Sequence, residues 1–115
     1  MEGREIVKLA VSALEDKKGK DIRVLDLRDV TVIADYFVIC SGDNLRQVDA
    51  LYQNVDEVLG RAGVLPKSVE GKQGKSWILL DYGDVIIHLF DAENRLFYDL
   101  ERIWRDGKTV DPAEI

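Results

Sequence analysis

Cysteine and histidine are the scarcest reactive residues of this chain, with one of each, Cys40 and His88, among 115 residues. A lone cysteine excludes an internal disulfide. One thiol and one imidazole fall short of the roughly four ligands that a His/Cys zinc site takes, so no metal is expected. No apolar run approaches the roughly 18 residues needed to span a bilayer. The opening stretch, MEGREIVKLAVSALEDKKG, carries acids inside its apolar segment. Neither a secretory nor an organelle-targeting leader has that composition, and a soluble, cytoplasmic protein is expected. Bases are outnumbered 16 to 22, for a net charge of −6. An acidic surface repels phosphate backbones at long range, which argues against non-specific nucleic-acid binding. A basic protein partner would instead be drawn in, although plain solubility accounts for the same charge.

What the chain does have is material for one core. Hydrophobic residues make up 46% and charged residues 33%, the balance of a single globular domain. Residues 3–17 space Ile6, Val7, Ala10, Val11 and Leu14 by threes and fours, which predicts a helix ending near Gly19. Residues 21–27 and YFVIC (36–40) read as strands, the second buried on both faces. RDVTVIAD between them reads as either a loop or a continuing strand. Asn44 and Gln47 fit a variant capping box at the start of a long helix through Leu45, Val48, Tyr52, Val55 and Leu59, closed by Gly63. A polar loop follows, with a short strand at Ser68–Glu70. Then come two strands, Trp77–Tyr82 and Val85–Phe90, and a last helix over 92–105. The order predicts an α/β domain with a mixed β-sheet flanked by helices.

The hairpin is the most informative tract. Gly83-Asp84 suits a two-residue type II′ turn, which would pair Tyr82 with Val85, Leu80 with Ile87 and Ile78 with Leu89. One face then carries Ile78, Leu80, Tyr82, Val85, Ile87 and Leu89, a core face by any reading. The other carries Trp77, Leu79, Asp81, Ile86, His88 and Phe90. Helices could cover it, with Asp81 and His88 bonding each other. Alternatively, part of it stays open as a docking surface with hot-spot composition. Residues 70–106 hold eight acids against five bases, so such a surface would favour a basic partner.

Catalysis has little to stand on. There is no second histidine, no nucleophile elbow of the G-x-S-x-G kind and no G-x-x-x-x-G-K-S/T loop. Ser41-Gly42 before a helix is a weak anion signal. Asp84 is explained by turn chemistry, and Cys40 by core packing.

Several tracts taken together then become recognisable. DYFVICSG (35–42) with RQV (46–48), EG (70–71), WILLDYGDVIIHLF (77–90) and R-x-x-YDLERIW (95, 98–104) resemble the ribosomal silencing factor family, also called Iojap-related proteins. The resemblance covers roughly residues 5–106, so a domain over 1–106 and a polar tail over 107–115 are expected. It implies a nucleotidyltransferase-like fold without an active site, hence no enzyme and no cofactor, and a homodimer in the cytoplasm. It further implies binding to the large ribosomal subunit through a basic protein of its intersubunit face, the fourteenth of that subunit's series. Occupying that face blocks joining of the small subunit and represses translation. The motif positions are Trp77, Asp81, Tyr82, Asp84, His88, Phe90, Arg95, Tyr98, Asp99 and Glu101, and the motif does not divide them among partner, dimer and core. Asp43-Asn44 stands where the family often has Ser or Thr. These residues also cap helices, but any anion-binding role there weakens. The alternative from the residues is a nucleotide-binding, transferase-like enzyme on the same fold, using the Ser41-Gly42 helix start and the acids near His88.

Overall fold

Two helices lie against one side of a six-stranded sheet in a computed structural model of the chain, which describes residues 1–98 and 108–111 and, for 96–98, the backbone alone. Helix α1 spans Gly3–Asp16 and buries Ile6, Val7, Ala10, Val11 and Leu14, the periodic residues of the sequence. The chain leaves it through Lys17 and Lys18, with the Gly19 N–H donating to Leu14 O at 2.8 Å. Strand β1 is Lys20–Asp26 and β2 is Tyr36–Gly42, the latter buried along its whole length. Helix α2 spans Leu45–Arg61 and turns Val48, Leu51, Val55 and Leu59 inward.

The α2 start is fastened as its sequence suggests. Asn44 Oδ1 accepts from the Gln47 N–H at 2.8 Å, and Gln47 Oε1 accepts from the Asp43 N–H at 2.6 Å. Gln47 Nε2 also donates to Lys18 O at 3.1 Å, so one amide side chain joins the end of α1 to the beginning of α2.

Strands β3 (Ser68–Glu70), β4 (Trp77–Asp81) and β5 (Val85–Asp91) follow, then α3 (Ala92–Tyr98) and β6 (Lys108–Val110). The sheet order is β3-β4-β5-β2-β1-β6. Every neighbouring pair is antiparallel except β2 and β5, which run parallel at the centre. The sheet is therefore mixed, as expected. A central parallel pair is buried on both faces, which is why β2 and β5 read as nearly continuous apolar runs. The main core, with Val7, Leu14, Val38, Leu51, Leu80 and Ile87 at its centre, lies between the sheet and α1 and α2. A smaller cluster of Leu25, Leu27, Ala34, Phe37, Ile39 and Phe90 forms on the opposite side, with Trp77 and Ile86 packed against it.

Two segments depart from the sequence reading. RDVTVIAD is a loop, and it exposes Val30, Val32 and Ile33, the last two at 104% and 64%. Lys108–Val110, inside the stretch read as a polar tail, pairs with Val24–Asp26 as an edge strand. The last helix was expected over 92–105, but only Ala92–Tyr98 falls among the described residues.

Candidate docking face

The hairpin register follows from its turn. Gly83 has φ +89°, a left-handed value that the first central residue of a type II′ turn requires and that glycine adopts without strain. Asp81 Oδ1 accepts from the Gly83 N–H at 2.8 Å, and the Tyr82 N–H donates to Val85 O at 2.9 Å. Ile78 thus pairs with Leu89, Leu79 with His88, Leu80 with Ile87 and Asp81 with Ile86. Asp84 O accepts from the N–H groups of Asp35 and Tyr36, so the turn also fixes the entry into β2.

Alternation gives the two faces different fates. Ile78, Leu80, Val85, Ile87 and Leu89 are fully buried under α1 and α2. On the opposite face, Phe90 and His88 are buried, at 1% and 4% exposure, while Trp77, Leu79, Asp81 and Ile86 are only half-buried. Ser68 and Glu70 pair with Asp81 and Leu79, and directly paired strand residues share a side. Both are exposed. A strip of indole and aliphatic surface therefore runs across β4 and β5 with Glu70 and Asp81 beside it.

The rings in this face hold one another. Trp77 stacks on Phe90 with centroids 5.2 Å apart, and Phe37 meets His88 edge-on at 4.7 Å. Trp77 Nε1–H donates to His88 Nδ1 at 3.1 Å. The Asp81–His88 bond that a helix-covered face would have called for is not made. Both Asp81 and Trp77 are diagonal neighbours of His88, but Asp81 is held by its own turn, so the indole bonds the imidazole. Burial lowers the His88 pKa to about 4, which keeps the ring neutral. Since Nδ1 accepts, the proton sits on Nε2, and that buried atom has no partner among the described residues.

The other motif residues lie elsewhere. Tyr82 is buried on the helix-covered face, its hydroxyl unpaired among the described residues and its pKa raised by burial. Asp84 is exposed in the turn. Arg95 is buried, and its Nη1 donates to Asp21 O at 2.6 Å and to Ser41 Oγ at 2.8 Å. It joins α3 to the beginning of β1 and the end of β2. Tyr98 closes α3, and its side chain, with Asp99 and Glu101, lies outside the described residues. Leu79 and Ile86, absent from the motif set, share the half-open strip, and strand alternation alone would have added them. The exposed Val32 and Ile33 had only their apolar character to mark them.

Among the described residues, no group of three or more His, Cys, Asp or Glu side chains is placed to hold a metal ion. Ser41 is buried with its hydroxyl on Arg95, and the first turn of α2 is capped by Asn44 and Gln47. Burial pushes the Cys40 thiol up to about 12, so it stays protonated. No helix of the described residues is long and apolar enough to cross a membrane.

Comparison with known proteins gives a consistent result. The family profile described as ribosomal silencing factor during starvation matches residues 1–115. A ribosomal silencing factor of Halalkalibacterium halodurans is 37% identical over 96% of this chain and 95% of its own length. One from Chromobacterium violaceum is 43% identical over 94% of this chain and 88% of its own. A crystal structure of a protein from Chromobacterium violaceum superposes with a TM-score of 0.88 at 41% identity, covering 96% of this chain and 92% of that one.

Proposed function

The chain belongs to the ribosomal silencing factor family, and from that premise we propose that it represses translation by docking on the large ribosomal subunit and keeping the small subunit from joining. The docking surface is the half-open strip of Trp77, Leu79 and Ile86 flanked by Glu70 and Asp81. Its partner is a basic protein of the intersubunit face, the fourteenth of the large-subunit series. In this reading the chain works in the cytoplasm as a homodimer, and its role is regulatory rather than catalytic.

The observation that carries the reading is the unequal closure of the two hairpin faces. A face needed only for folding gains nothing by leaving a tryptophan and two aliphatics partly accessible to solvent. Aromatic anchors at the centre of a patch, with charge at the edge, are the usual composition of a docking site. The carboxylates select a basic partner and speed encounter. Repression then needs occupancy alone, since a bound domain excludes the other subunit sterically.

The test is co-sedimentation with separated subunits, run alongside a subunit-joining assay. Ile86→Glu and Leu79→Asp should weaken large-subunit binding by about tenfold or more, the scale of a lost hot-spot contact, with helical content retained. The wild-type chain should lower the yield of joined ribosomes in proportion to its occupancy. Wild-type behaviour of both variants, or joining that ignores saturating protein, would overturn the reading.

A further inference from the structure

The segment between α2 and β4 has a charge opposite to that of the molecule. Residues 64–76 carry Lys67, Lys72 and Lys75 against Glu70 alone, in a chain of net charge −6. The segment also has a defined shape. Gly71 has φ +85°, and a Cβ there would sit 1.9 Å from Trp77 O, so the loop crosses the start of β4 in backbone contact. The Lys75 N–H returns to Gly71 O at 2.9 Å and closes the loop. Lys72, Gln73 and Gly74 form its exposed tip. The N–H groups of these three make no hydrogen bond among the described residues. A side chain at Gly74 would meet nothing, so the backbone there is open to close approach. Among the described residues, the Lys75 ammonium makes a loose pair with Asp49 at 3.7 Å.

This loop adjoins Trp77, the aromatic anchor of the docking strip. Against a basic partner protein its lysines would be repelled, while Glu70 and Asp81 would be attracted. Negative charge bordering that partner would complement Lys72 and Lys75 at the edge of the interface. On a ribosomal subunit, proteins are bordered by RNA, whose phosphates present that charge at high density. Lysines on a glycine-flanked loop, with free peptide N–H groups at the tip, suit a sugar-phosphate backbone. The overall acidity does not oppose this once the chain is docked, because screening confines charge effects to about 8 Å at physiological salt.

We propose that the Gly71–Lys75 loop is an RNA-backbone contact site that grips ribosomal RNA beside the docked protein. The proposal rests on the docking reading. It gives the chain a composite target, a basic protein surface on one side of Trp77 and phosphodiesters on the other.

Two measurements on the full chain test it. In the first, Gln73→Cys is coupled to a benzophenone maleimide, bound to large subunits, irradiated and digested with nuclease or protease. Cys40 is buried and stays unlabelled. Adducts on RNA are expected. Adducts on protein alone, or none despite binding, overturn the proposal and leave docking intact. In the second, the salt dependence of co-sedimentation is compared for wild type and Lys72→Glu/Lys75→Glu. Losing two phosphate contacts should reduce the slope of log affinity against log salt by about 1.4 to 1.8, with affinity at least tenfold lower in dilute salt. An unchanged slope overturns the proposal. Failure of the wild-type chain to bind large subunits would overturn the docking reading, and this one with it.

Discussion

The two faces of the β4–β5 hairpin are built from the same ten or so residues and solve opposite problems. One is closed by volume alone: Ile78, Leu80, Val85, Ile87 and Leu89 fill the space beneath α1 and α2 and leave no surface. The other mixes rings, aliphatics, a carboxylate and an imidazole. It stays half-open at Trp77, Leu79 and Ile86, and it leaves one buried donor, His88 Nε2, unmet among the described residues. The difference teaches that apolarity does not by itself mark a core. The closed face gains its free energy entirely on folding, whereas the open face leaves part of its apolar surface accessible, the part that the proposed docking would bury.

That contrast can be broken by substitution. Leu80→Ala on the closed face should cost about 3–4 kcal/mol, as large-to-small changes in a packed core do. Its docking should be unaffected in the fraction that remains folded, as chemical denaturation and co-sedimentation would show together. Acid should break the open face next. The His88 pKa is depressed to about 4 from an unfolded value of 6.5. The unfolded chain therefore takes up a proton, which the folded chain refuses, as pH falls from 6.5 toward 4. The stabilisation is complete above 6.5 and fades through that window, by about 3 kcal/mol in all. A pH series of urea midpoints should show the loss, and His88→Phe should flatten it. Trp77→Ala removes the Phe90 stack and the bond to His88 from a half-buried site, for about 2 kcal/mol. Ile86→Ala should cost least, about 1 kcal/mol or below, while still weakening binding. If Leu80→Ala and Ile86→Ala shift stability equally, the two faces are not different in kind.

Sequence made the regular parts of this molecule legible and the tertiary choices opaque. The hairpin register followed from Gly83-Asp84 and strict alternation, and the α2 start followed from the Asn44–Gln47 spacing. Both are local effects. The loop at 28–35 stayed ambiguous because Val30, Val32 and Ile33 are strand-like side chains that the fold leaves exposed. Strand β6 was missed because Lys108, Thr109 and Val110 carry no pattern of their own and pair with β1, more than eighty residues away. Within the candidate site, alternation put Trp77, Asp81 and His88 on one face but could not choose the bonding partner of His88. The turn settled that by engaging Asp81. Alternation also put Tyr82 on the helix-covered face, but no motif could show that Arg95 is buried on Asp21 and Ser41.

The placement of Arg95 has a consequence for how the chain is made. Its guanidinium fastens the carbonyl of residue 21 and the hydroxyl of residue 41 from a point more than fifty residues further on. The central strand β2 likewise finds its parallel neighbour only in Val85–Asp91. During synthesis the amino-terminal half must therefore wait, with its best apolar strand unpaired on one edge, until residues 85–95 have left the exit tunnel. Chains truncated before residue 85 should accordingly remain protease-sensitive, and protection should arrive in one step once residue 95 is free.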